Sequence, residues 1–374
     1  MNVLQICPAY YGRPLFKMLF ENLEKNNVNH NIYVPKWRQE DNSQNQKGNV
    51  IVIDKKFSKI SKLFYWREMH YVFDDIQKRI DLSHIDVIHA HRLLQGGDVA
   101  FELKKKYGIP YIVAIRNSDL NCFGKNIFIY KNHCWSIISN AEKVVFISEV
   151  YKETVCKLYS KKPDAQVVFE RFLTIPNGID DSFLTMKPEN YHHNISDKQL
   201  SIISVANIDK NKNALTTLKA CDILIERGYN VTYLFAGSII DKRIFDIIKK
   251  KSYSNYLGEL TKEQIKESLI KADIFVMPSI HETFGIVYAE AISQGVPIIY
   301  TRGEGFDGQF EEGVVGFHVN CKNASEIADK ILLILSDYRN FSNRCILNAE
   351  RYSWEGIAQR YNQVYNECIL NHIV

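Results

Sequence analysis

Short runs of apolar residues alternate with stretches whose apolar residues recur at helical spacing, from the first residue onward. This alternation is typical of parallel sheets covered by helices, and it occurs twice along the chain. We therefore predict an α/β protein with two Rossmann-like domains. The predicted strands are Val3 to Ile6, Val50 to Ile53, Val87 to His89, Tyr111 to Ile115 and Val144 to Ile147, then Ile202 to Val205, Val231 to Phe235, Ile274 to Met277 and Pro297 to Tyr300.

The break between the two halves lies where helical and strand periodicity gives way to turn formers. Ile175 to Asp180 reads Ile-Pro-Asn-Gly-Ile-Asp, and a polar stretch follows near Tyr191 to Lys198. We predict a first domain over residues 1–183 and a second over 184–354. Apolar residues at helical spacing predict a last amphipathic helix over Trp354 to Ile369. Because doubly wound sheets bind ligands beyond the carboxyl ends of their strands, we expect the chemistry in a cleft between the domains.

Composition adds to this interpretation and excludes some classes of protein. A length of 374 residues exceeds what one core usually supports, in agreement with two domains. The chain is 46% apolar and 24% charged, as in soluble globular proteins, and Met1 to Cys7 lacks the pattern of a secretory signal. We therefore expect a cytoplasmic protein. A net charge of +4, without a long basic run, argues against a nucleic-acid partner.

The cysteines show neither a disulfide framework nor the C-x-x-C spacing of a zinc site. We expect all of them to be reduced. They are Cys7, Cys122, Cys134, Cys156, Cys221, Cys321, Cys345 and Cys368.

The segment richest in chemistry follows the predicted strand Ile274 to Met277. A Pro-Ser turn leads through Glu282 and Gly285 into a helix of small residues that carries Glu290. Glycine lets a backbone approach a ligand closely, and the amides at a helix start favour an anion such as a diphosphate. Eight residues of helix rise about 12 Å, so the two glutamates could reach opposite ends of a nucleotide-diphosphate sugar. Two acids alone would indicate a solvated helix face; the turn and the helix start favour a binding site.

With this segment, the chain resembles the family 4 glycosyltransferases, whose second domain carries two glutamates separated by seven residues. The resemblance covers nearly the whole chain, including Asp86 to His91, Val145 to Glu149, Ile175 to Asp180 and Tyr352 to Glu355. It implies the GT-B fold, in which two Rossmann-like domains face each other across a cleft. The first domain would bind the acceptor and be completed by the last helix, residues 355–374, and the second would bind the nucleotide sugar.

The resemblance also implies roles for single residues. Glu290 would bind the donor ribose, and Glu282 would lie near the diphosphate and the transferred sugar. The loop that ends at Leu260 would lie near the base. Backbone groups that would hold phosphate and sugar oxygens belong to Thr283, Phe284, Gly285, Ile286 and Val287.

The activity implied by the resemblance is sugar transfer, with retention of configuration, from a nucleotide-diphosphate sugar to a saccharide acceptor. We expect a lipid-linked acceptor and a place in cell-surface polysaccharide synthesis. In the expected mechanism the departing diphosphate helps to deprotonate the incoming hydroxyl. No D-x-D motif follows a predicted strand, so we expect neither a metal nor another cofactor. Lys212 and helix amides would neutralise the diphosphate instead.

One departure from the family pattern lies at the start of the second domain. Asn207 stands where the family has an arginine that contacts the donor phosphates, while Lys212 aligns with the family lysine. A point charge is thus retained and bidentate arginine recognition is lost. Lys210 is a candidate substitute. The alternative is an ordinary solvated turn.

A second departure lies in the first domain, after the strand that ends at Ile115. Arg116 holds the position of a family histidine that faces the transferred sugar, and it would favour an anionic group there. Together with Glu282 and Lys212 it is our third candidate catalytic residue. Asn117 and Asp119 are expected on the acceptor side. The alternative is a strand-end turn that Asp119 or Ser118 caps.

Three further residues are weaker candidates for ligand contacts. His89 and His91 end a predicted strand and are expected to line the acceptor side, unless they are structural histidines. Gly12 follows the first strand and is expected to form the tight loop that faces the donor.

The stretch from Lys55 to Arg67 alternates cations with large apolar side chains. Anionic lipid attracts cations while aromatic rings enter the headgroup layer, so this pattern predicts contact with a membrane surface. The alternative is a helix whose aromatic face packs on its own sheet, because Met69, Val72, Phe73 and Ile76 continue such a face.

Other functions stay open at this point. A glycoside hydrolase could use two acids, but the helix start suited to phosphate argues against it. A sugar-nucleotide epimerase of the same fold would turn over donor alone. Because of Asn207 and Arg116, a catalytically silent, donor-binding partner of an active transferase is the third alternative.

Overall fold

The computed structural model describes residues 1–11, 14–35, 50–52, 65–116, 119, 127–185 and 198–373. The chain divides into two compact units. The first unit comprises Met1–Ile147, Tyr151–Asn177 and Trp354–Val374, and the second comprises Ser148–Val150 and Gly178–Ser353.

The first unit contains one parallel sheet. Its strands are β1 (Asn2–Ile6), β2 (Asn29–Val34), β3 (Val50–Val52), β4 (Val87–Ala90), β5 (Tyr111–Ile115), β6 (Lys143–Phe146) and β7 (Phe172–Thr174). The seven strands lie in the order β3-β2-β1-β4-β5-β6-β7, so the chain starts in the middle and winds outward twice. The helices that connect the strands are α1 (Pro14–Lys25), α2 (Tyr65–Arg79), α3 (Gly97–Tyr107), α4 (Ile127–Asn140), α5 (Glu149–Tyr159) and α6 (Ala165–Phe169), with a 3-10 turn at Leu82–His84.

The second unit repeats this plan with six parallel strands. They are β8 (Gln199–Val205), β9 (Asn230–Ala236), β10 (Ser254–Tyr256), β11 (Ile274–Val276), β12 (Ile298–Thr301) and β13 (Gly316–Val319). Their order is β10-β9-β8-β11-β12-β13. The helices are α7 (Ala214–Glu226), α8 (Lys242–Lys249), α9 (Lys262–Ile270), α10 (Ile286–Ser293), α11 (Ala324–Ser336) and α12 (Tyr338–Asn348), with 3-10 turns at Asp181–Thr185 and Ala349–Tyr352.

The last helix, α13 (Trp354–Ile373), packs on the first unit as expected. Successive strand residues point to opposite faces of a sheet, so Leu4 belongs to the core beneath α2 to α5, while Val3 belongs to the core beneath α1 and α13. Trp354 and Tyr365 are buried in that second core. Without α13, one apolar face of the first sheet would lose much of its cover.

Each predicted strand is present, but the sequence patterns do not predict β2, β7, β10 or β13. β2 begins with the polar residues Asn29, His30 and Asn31. His30 is nevertheless buried, with the centre of its ring 5.3 Å from the ring centre of Phe20. β10 is a three-residue edge strand that reads Ser-Asn-Tyr. Short or polar strands lack the apolar run on which the prediction relies.

The units divide between Asn177 and Gly178 rather than after residue 183, where the sequence places the boundary. The segment after Gly178 is bonded to the second unit: the Ile179 amide donates to the Tyr352 carbonyl at 3.0 Å, and Gln294 Nε2 donates to the Phe183 carbonyl at 2.7 Å. Phe183 is also fully buried. The predicted polar stretch up to residue 197 lies outside the described residues.

Two further expectations concern cysteines and membrane spans. Every cysteine in the described ranges is a free thiol, and Cys122 lies outside them. No helix within the described part of the chain has the length and apolarity needed to cross a bilayer.

Candidate active site

The site in the second unit is built where β8 and β11, which are neighbours in the sheet, reach their carboxyl ends. The loop after β8 is fastened to the loop after β11 by hydrogen bonds. Asn211 accepts from the His281 amide at 3.0 Å and donates to the His281 carbonyl at 2.9 Å. Asn213, in a left-handed conformation with φ 56°, donates to the Pro278 carbonyl at 3.0 Å. Residues about seventy positions apart in sequence are thereby held side by side.

Lys212 and Glu282 form an ion pair at the junction of these loops. Lys212 Nζ lies 2.6 Å from Glu282 Oε2, and the two side chains are 23% and 11% exposed. The other carboxylate oxygen of Glu282 accepts from the Thr283 amide at 3.0 Å. Charged partners with little water around them interact more strongly than at an open surface. The pair presents a fixed cation and a fixed carboxylate on one edge of the sheet.

Glu304 belongs to the same cluster, although the sequence interpretation does not include it. Its Oε2 accepts from the Glu282 amide at 2.8 Å, and the Gly305 amide donates to the Glu282 carbonyl at 2.9 Å. The backbone of Glu282 and Thr283 leaves no room for a side chain at position 305, because a Cβ there would lie 2.0 Å from the Thr283 carbonyl oxygen. The Gly-Glu-Gly sequence that begins three residues after Tyr300, the end of a predicted strand, is the signal that could have indicated this support.

Gly285 lies between Glu282 and helix α10, and its conformation explains why the segment from Glu282 to Glu290 is only partly helical. It has φ 73°, and a Cβ at this position would lie 2.4 Å from the ring of Tyr288. The helix begins only at Ile286, so the expectation that eight helical residues separate the two glutamates is wrong. Glu282 lies in the loop and Glu290 lies on the helix. The first amides of α10 have no acceptor within the helix, which suits an anion.

Side chains of the segment before α10 point in different directions. Phe284 is 3% exposed and packs against Phe306 and Tyr352, with ring centroids 5.9 and 6.1 Å away. Only its backbone can therefore contact a ligand. Val287 is likewise buried, whereas Ile286 is exposed.

Glu290 is half-buried on α10, and its surroundings differ from those of Glu282. Burial raises the pKa of Glu290 to about 7, and the positive charge of Lys262 only partly opposes this rise. Lys262 itself is paired with Asp180 at 2.6 Å. This carboxyl group is poorly hydrated. A hydrogen bond from a ligand would therefore contribute more to binding here than at an open surface.

The other predicted donor residues of this unit lie around the same edge. Asn207 and Lys210 are exposed in the loop after β8, and Leu260 is partly exposed in the turn that precedes α9. The structure therefore brings Lys212 and Glu282 into direct contact and leaves Asn207 outside their hydrogen-bond cluster.

In the first unit, Arg116 and Asp119 are hydrogen-bonded to each other after β5. The Arg116 amide donates to Asp119 Oδ2 at 2.9 Å, and the Asp119 amide donates to the Arg116 carbonyl at 2.8 Å. Arg116 Nε donates to the His91 carbonyl at 3.3 Å, and its guanidinium lies 4.9 Å from the ring centre of Phe16. Burial raises the pKa of Asp119 to about 6, against the opposing charge of Arg92. This arrangement favours the capping alternative for Asp119.

His89 and His91 are buried inside the first unit, 0% and 1% exposed. Their rings lie 3.8 Å apart, His89 Nδ1 lies 2.7 Å from the Tyr365 hydroxyl, and His91 Nε2 lies 2.8 Å from Gln5 Oε1. Burial, and to a smaller extent the charge of Arg116, lowers the pKa of both groups well below the ordinary value. The structure favours structural roles over the predicted acceptor contacts, because both rings are buried.

Several predicted residues lie outside the described part of the chain: Gly12, Asn117, and the stretch from Lys55 as far as residue 64. The end of that stretch begins α2, where Trp66 is 51% exposed while Met69, Val72 and Ile76 are buried. The continuing apolar face of α2 therefore packs on its own unit.

A groove of about 670 Å³ in the first unit is lined by Asp81, Tyr107, Pro110 and their neighbours. These residues lie where helices end and strands begin, at the amino edge of the sheet. Ligands of this kind of sheet bind at the opposite, carboxyl edge, so we assign the groove no part in catalysis.

Two family models match the chain in succession. The one described as Glycosyltransferase Family 4 matches residues 16–183, and the one described as Glycosyl transferases group 1 matches residues 187–352. The boundary between the matches lies close to the break between the two units.

Individual relatives agree with these matches. The D-inositol 3-phosphate glycosyltransferase of Corynebacterium urealyticum is 34% identical over 309 residues, which cover 75% of this chain and 71% of that protein. The N,N'-diacetylbacillosaminyl-diphospho-undecaprenol alpha-1,3-N-acetylgalactosaminyltransferase of Campylobacter jejuni is 29% identical over 182 residues, 44% of this chain and 47% of that protein.

Among solved structures, Alr3699/HepE of Anabaena in complex with UDP superposes with a TM-score of 0.71 at 16% identity, over 98% of this chain and 100% of that chain. At this identity the likeness concerns the fold alone. Together, the matching families, the relatives and the two parallel sheets show that the chain belongs to the family 4 glycosyltransferases and has the two Rossmann-like domains of the GT-B fold.

Proposed function

We propose that this glycosyltransferase moves a sugar from a nucleotide-diphosphate sugar to a saccharide acceptor with retention of anomeric configuration. The observation that carries the proposal is the ion pair between Lys212 and Glu282. Glu282 lies three residues before Gly285, after which the helix that carries Glu290 begins. The parts of an extended nucleotide sugar are the ribose, the diphosphate and the transferred sugar. They match, in turn, a poorly hydrated carboxyl group, a cation with helix amides, and a second carboxylate.

In this proposal the donor lies along the carboxyl edge of the second sheet. Glu290 binds the ribose hydroxyls, and the amides between Thr283 and Val287 hold the diphosphate. Lys212 neutralises the phosphate that becomes the leaving group, and Glu282 faces the transferred sugar. The ammonium group of Lys212 has three N–H donors, so in this proposal it binds the phosphate as well as Glu282, its partner at 2.6 Å.

The reaction breaks the bond between the anomeric carbon and the β-phosphate oxygen. The acceptor oxygen forms the new bond on the same face of the sugar, and its proton passes to the departing phosphate oxygen. Lys212 and the helix amides stabilise the charge that grows on the diphosphate, so we propose that transfer needs no divalent ion. Positive character on the sugar is stabilised by the neighbouring Glu282.

For the acceptor we propose a saccharide carried on a lipid diphosphate, in the assembly of a cell-surface polysaccharide. The Campylobacter jejuni relative is named for transfer to a diphospho-undecaprenol-linked sugar. Such an acceptor places the enzyme on the cytoplasmic face of the membrane, where the cations between Lys55 and Arg67 suit anionic lipid.

This proposed attachment to the membrane can be tested with vesicles. Changing Lys56, Lys59 and Lys62 together to glutamine should weaken sedimentation with anionic vesicles, because the cations that attract the lipid are removed. Unchanged sedimentation would contradict this site of attachment.

The experiment that tests the proposed function has two steps. A panel of nucleotide sugars is first screened for an increase in melting temperature, because a bound donor stabilises the native state by mass action. The stabilising donor is then incubated with and without lipid-linked saccharides while nucleoside diphosphate release and sugar products are measured. We expect release that depends on acceptor. Conversion of the donor sugar without acceptor would indicate an epimerase, and binding without any turnover would indicate a silent partner.

A further inference from the structure

Aromatic and titratable side chains form a second cluster, at the carboxyl edge of the first sheet. It consists of Tyr65 and Trp66 at the start of α2, Asp98 in the first turn of α3, and Tyr130 and His133 in α4. Each of these helices follows a strand of the parallel sheet and returns toward its amino edge. Their first turns therefore lie at the edge where such sheets bind ligands.

Asp98 holds this cluster together from a buried position, 3% exposed. Its carboxylate accepts hydrogen bonds from the Tyr65 hydroxyl, from His133 Nε2 and from the Gln95 amide, the last at 2.9 Å. Three donors from three segments converge on one carboxylate, so the imidazole of His133 is fixed in orientation. The His133 side chain is still 24% exposed, which leaves it within reach of a ligand hydroxyl.

Trp66 is held by its neighbours and still leaves half of its surface open. The centres of its ring and that of His133 lie 4.5 Å apart at an interplanar angle of 84°, and Tyr65 and Tyr130 contact it from 5.4 and 6.2 Å. The indole is nevertheless 51% exposed. A large aromatic surface that is ordered by packing loses little further rotamer freedom when a ligand covers it.

We infer that Trp66 and His133 form a sugar-binding subsite for the acceptor saccharide. The indole would cover the apolar C–H face of a pyranose ring, and the oriented imidazole would hydrogen-bond a ring hydroxyl. An apolar surface beside one or two fixed polar groups is the usual composition of a small-ligand site. The inference rests on the proposed transfer to a saccharide and names the residues on its acceptor side.

A membrane surface fits these residues less well than a sugar does. Inserting Trp66 into a lipid headgroup layer would also bring the polar ring of His133 and its bond to buried Asp98 toward an apolar phase, which is costly for polar groups. A sugar provides hydroxyls for the imidazole and C–H groups for the indole at once.

Saturation-transfer NMR with methyl glycosides of glucose, galactose, N-acetylglucosamine, mannose and rhamnose tests the subsite without any donor. We expect transfer to the protons of one ring face for at least one glycoside. Trp66→Ala should weaken that binding about tenfold, and Trp66→Phe should retain part of it. The matched control is Tyr107→Ala, which removes an aromatic that is 44% exposed at the opposite edge of the same sheet and should change nothing.

Two results would overturn the subsite: no glycoside shows transfer, or Trp66→Ala and Trp66→Phe bind as wild type. Vesicles of phosphatidylglycerol and phosphatidylcholine provide the second arm. Trp66→Ala should sediment with them as wild type does, whereas loss of sedimentation with glycoside binding intact would mark Trp66 as a membrane contact and overturn the inference. Failure of the proposed transfer shows separately, as absent turnover of any nucleotide sugar, while the glycoside contacts persist.

Discussion

At the level of single residues, Glu282 and Glu290 differ in partners and hydration. Glu282 contacts Lys212 at 2.6 Å and the Thr283 amide at 3.0 Å. Glu290 is half-buried, with a pKa raised to about 7 by desolvation. One carboxylate is thus held beside a cation, where charge develops in the proposed transfer, while the other is poorly hydrated and, in the same proposal, accepts hydrogen bonds from the ribose. Their substitution should affect different kinetic constants.

Glu282→Gln should lower kcat, because its charge is needed most when positive character grows on the transferred sugar. Losing one such preorganised contact typically reduces turnover by a factor of about 100, on the order of 3 kcal/mol. Steady-state kinetics with donor varied at fixed acceptor provide the measurement, with melting temperature as the control for folding. An unchanged kcat would refute the role assigned to Glu282.

Glu290→Gln should mainly raise KM for the donor while kcat at saturation partly survives. The proposed contacts to the ribose would be the same in the ground state and the transition state, so they would add binding without selective stabilisation of the transition state. The same kinetic assay separates the two variants. A loss of kcat as large as that of Glu282→Gln would contradict the division of roles.

Glu290 should also make stability depend on pH. Its pKa is raised from 4.5 to about 7 in the folded protein, so between these values the unfolded chain releases a proton that the folded chain keeps. The stabilising contribution is complete below pH 4.5 and is lost as pH rises through about 7. Glu290→Gln cannot ionise, so its stability relative to wild type should increase by about 3 kcal/mol from acidic to mildly alkaline pH. Urea unfolding of both proteins across this range measures the difference; a difference independent of pH would contradict the shift.

At the level of secondary structure, the strand order of the second sheet brings the site together. The strands β8 and β11 are adjacent in the sheet, so their carboxyl-end loops meet, and Asn211 and Asn213 bond one loop to the other. The order of these strands is what places Lys212 beside Glu282. The left-handed residue Gly285 then turns the chain into α10.

Gly285→Ala should be clearly more destabilising than Gly303→Ala, although both glycines have φ between 70° and 80°. Each alanine meets a left-handed backbone penalty of roughly 1–2 kcal/mol. Only at 285 does the new Cβ also lie 2.4 Å from the Tyr288 ring, whose hydroxyl is bonded to the Met277 carbonyl at 2.5 Å. Overpacking there should add about 1–3 kcal/mol and raise donor KM. Equal melting temperatures for the two variants would show that the ring moves without cost.

The sequence predicts the two parallel sheets because their central strands are continuous apolar runs, such as Tyr111 to Ile115. It also indicates Lys212 and Glu282, since both match family positions. It does not indicate that Glu304 supports Glu282, because that contact depends on where the loop after β12 turns. Nor does the sequence pattern predict the burial of His89 and His91, because that burial depends on α13, whose residues Tyr361 and Tyr365 pack against His89.

At the level of the whole molecule, the two units suggest a division of chemistry. The second unit holds the predicted donor residues apart from Gly12, and the first holds the cluster of Trp66, Asp98 and His133 that we assign to the acceptor. The last helix joins the end of the chain to the first unit, so both ends of the sequence stabilise the same domain. Variants of the second unit should therefore change KM for the donor more than KM for the acceptor, and variants of the first unit should do the reverse.

The most direct test of the account is a proton NMR time course of the reaction with excess EDTA, with the donor that stabilises the fold and a lipid-linked saccharide. The account predicts that a product forms in the chelator and that its anomeric coupling constant corresponds to the configuration of the donor sugar. Charge neutralisation by Lys212 and the helix amides is the physical reason. A product of inverted configuration, or product that forms only after magnesium or manganese is added in excess of EDTA, would contradict the central claim.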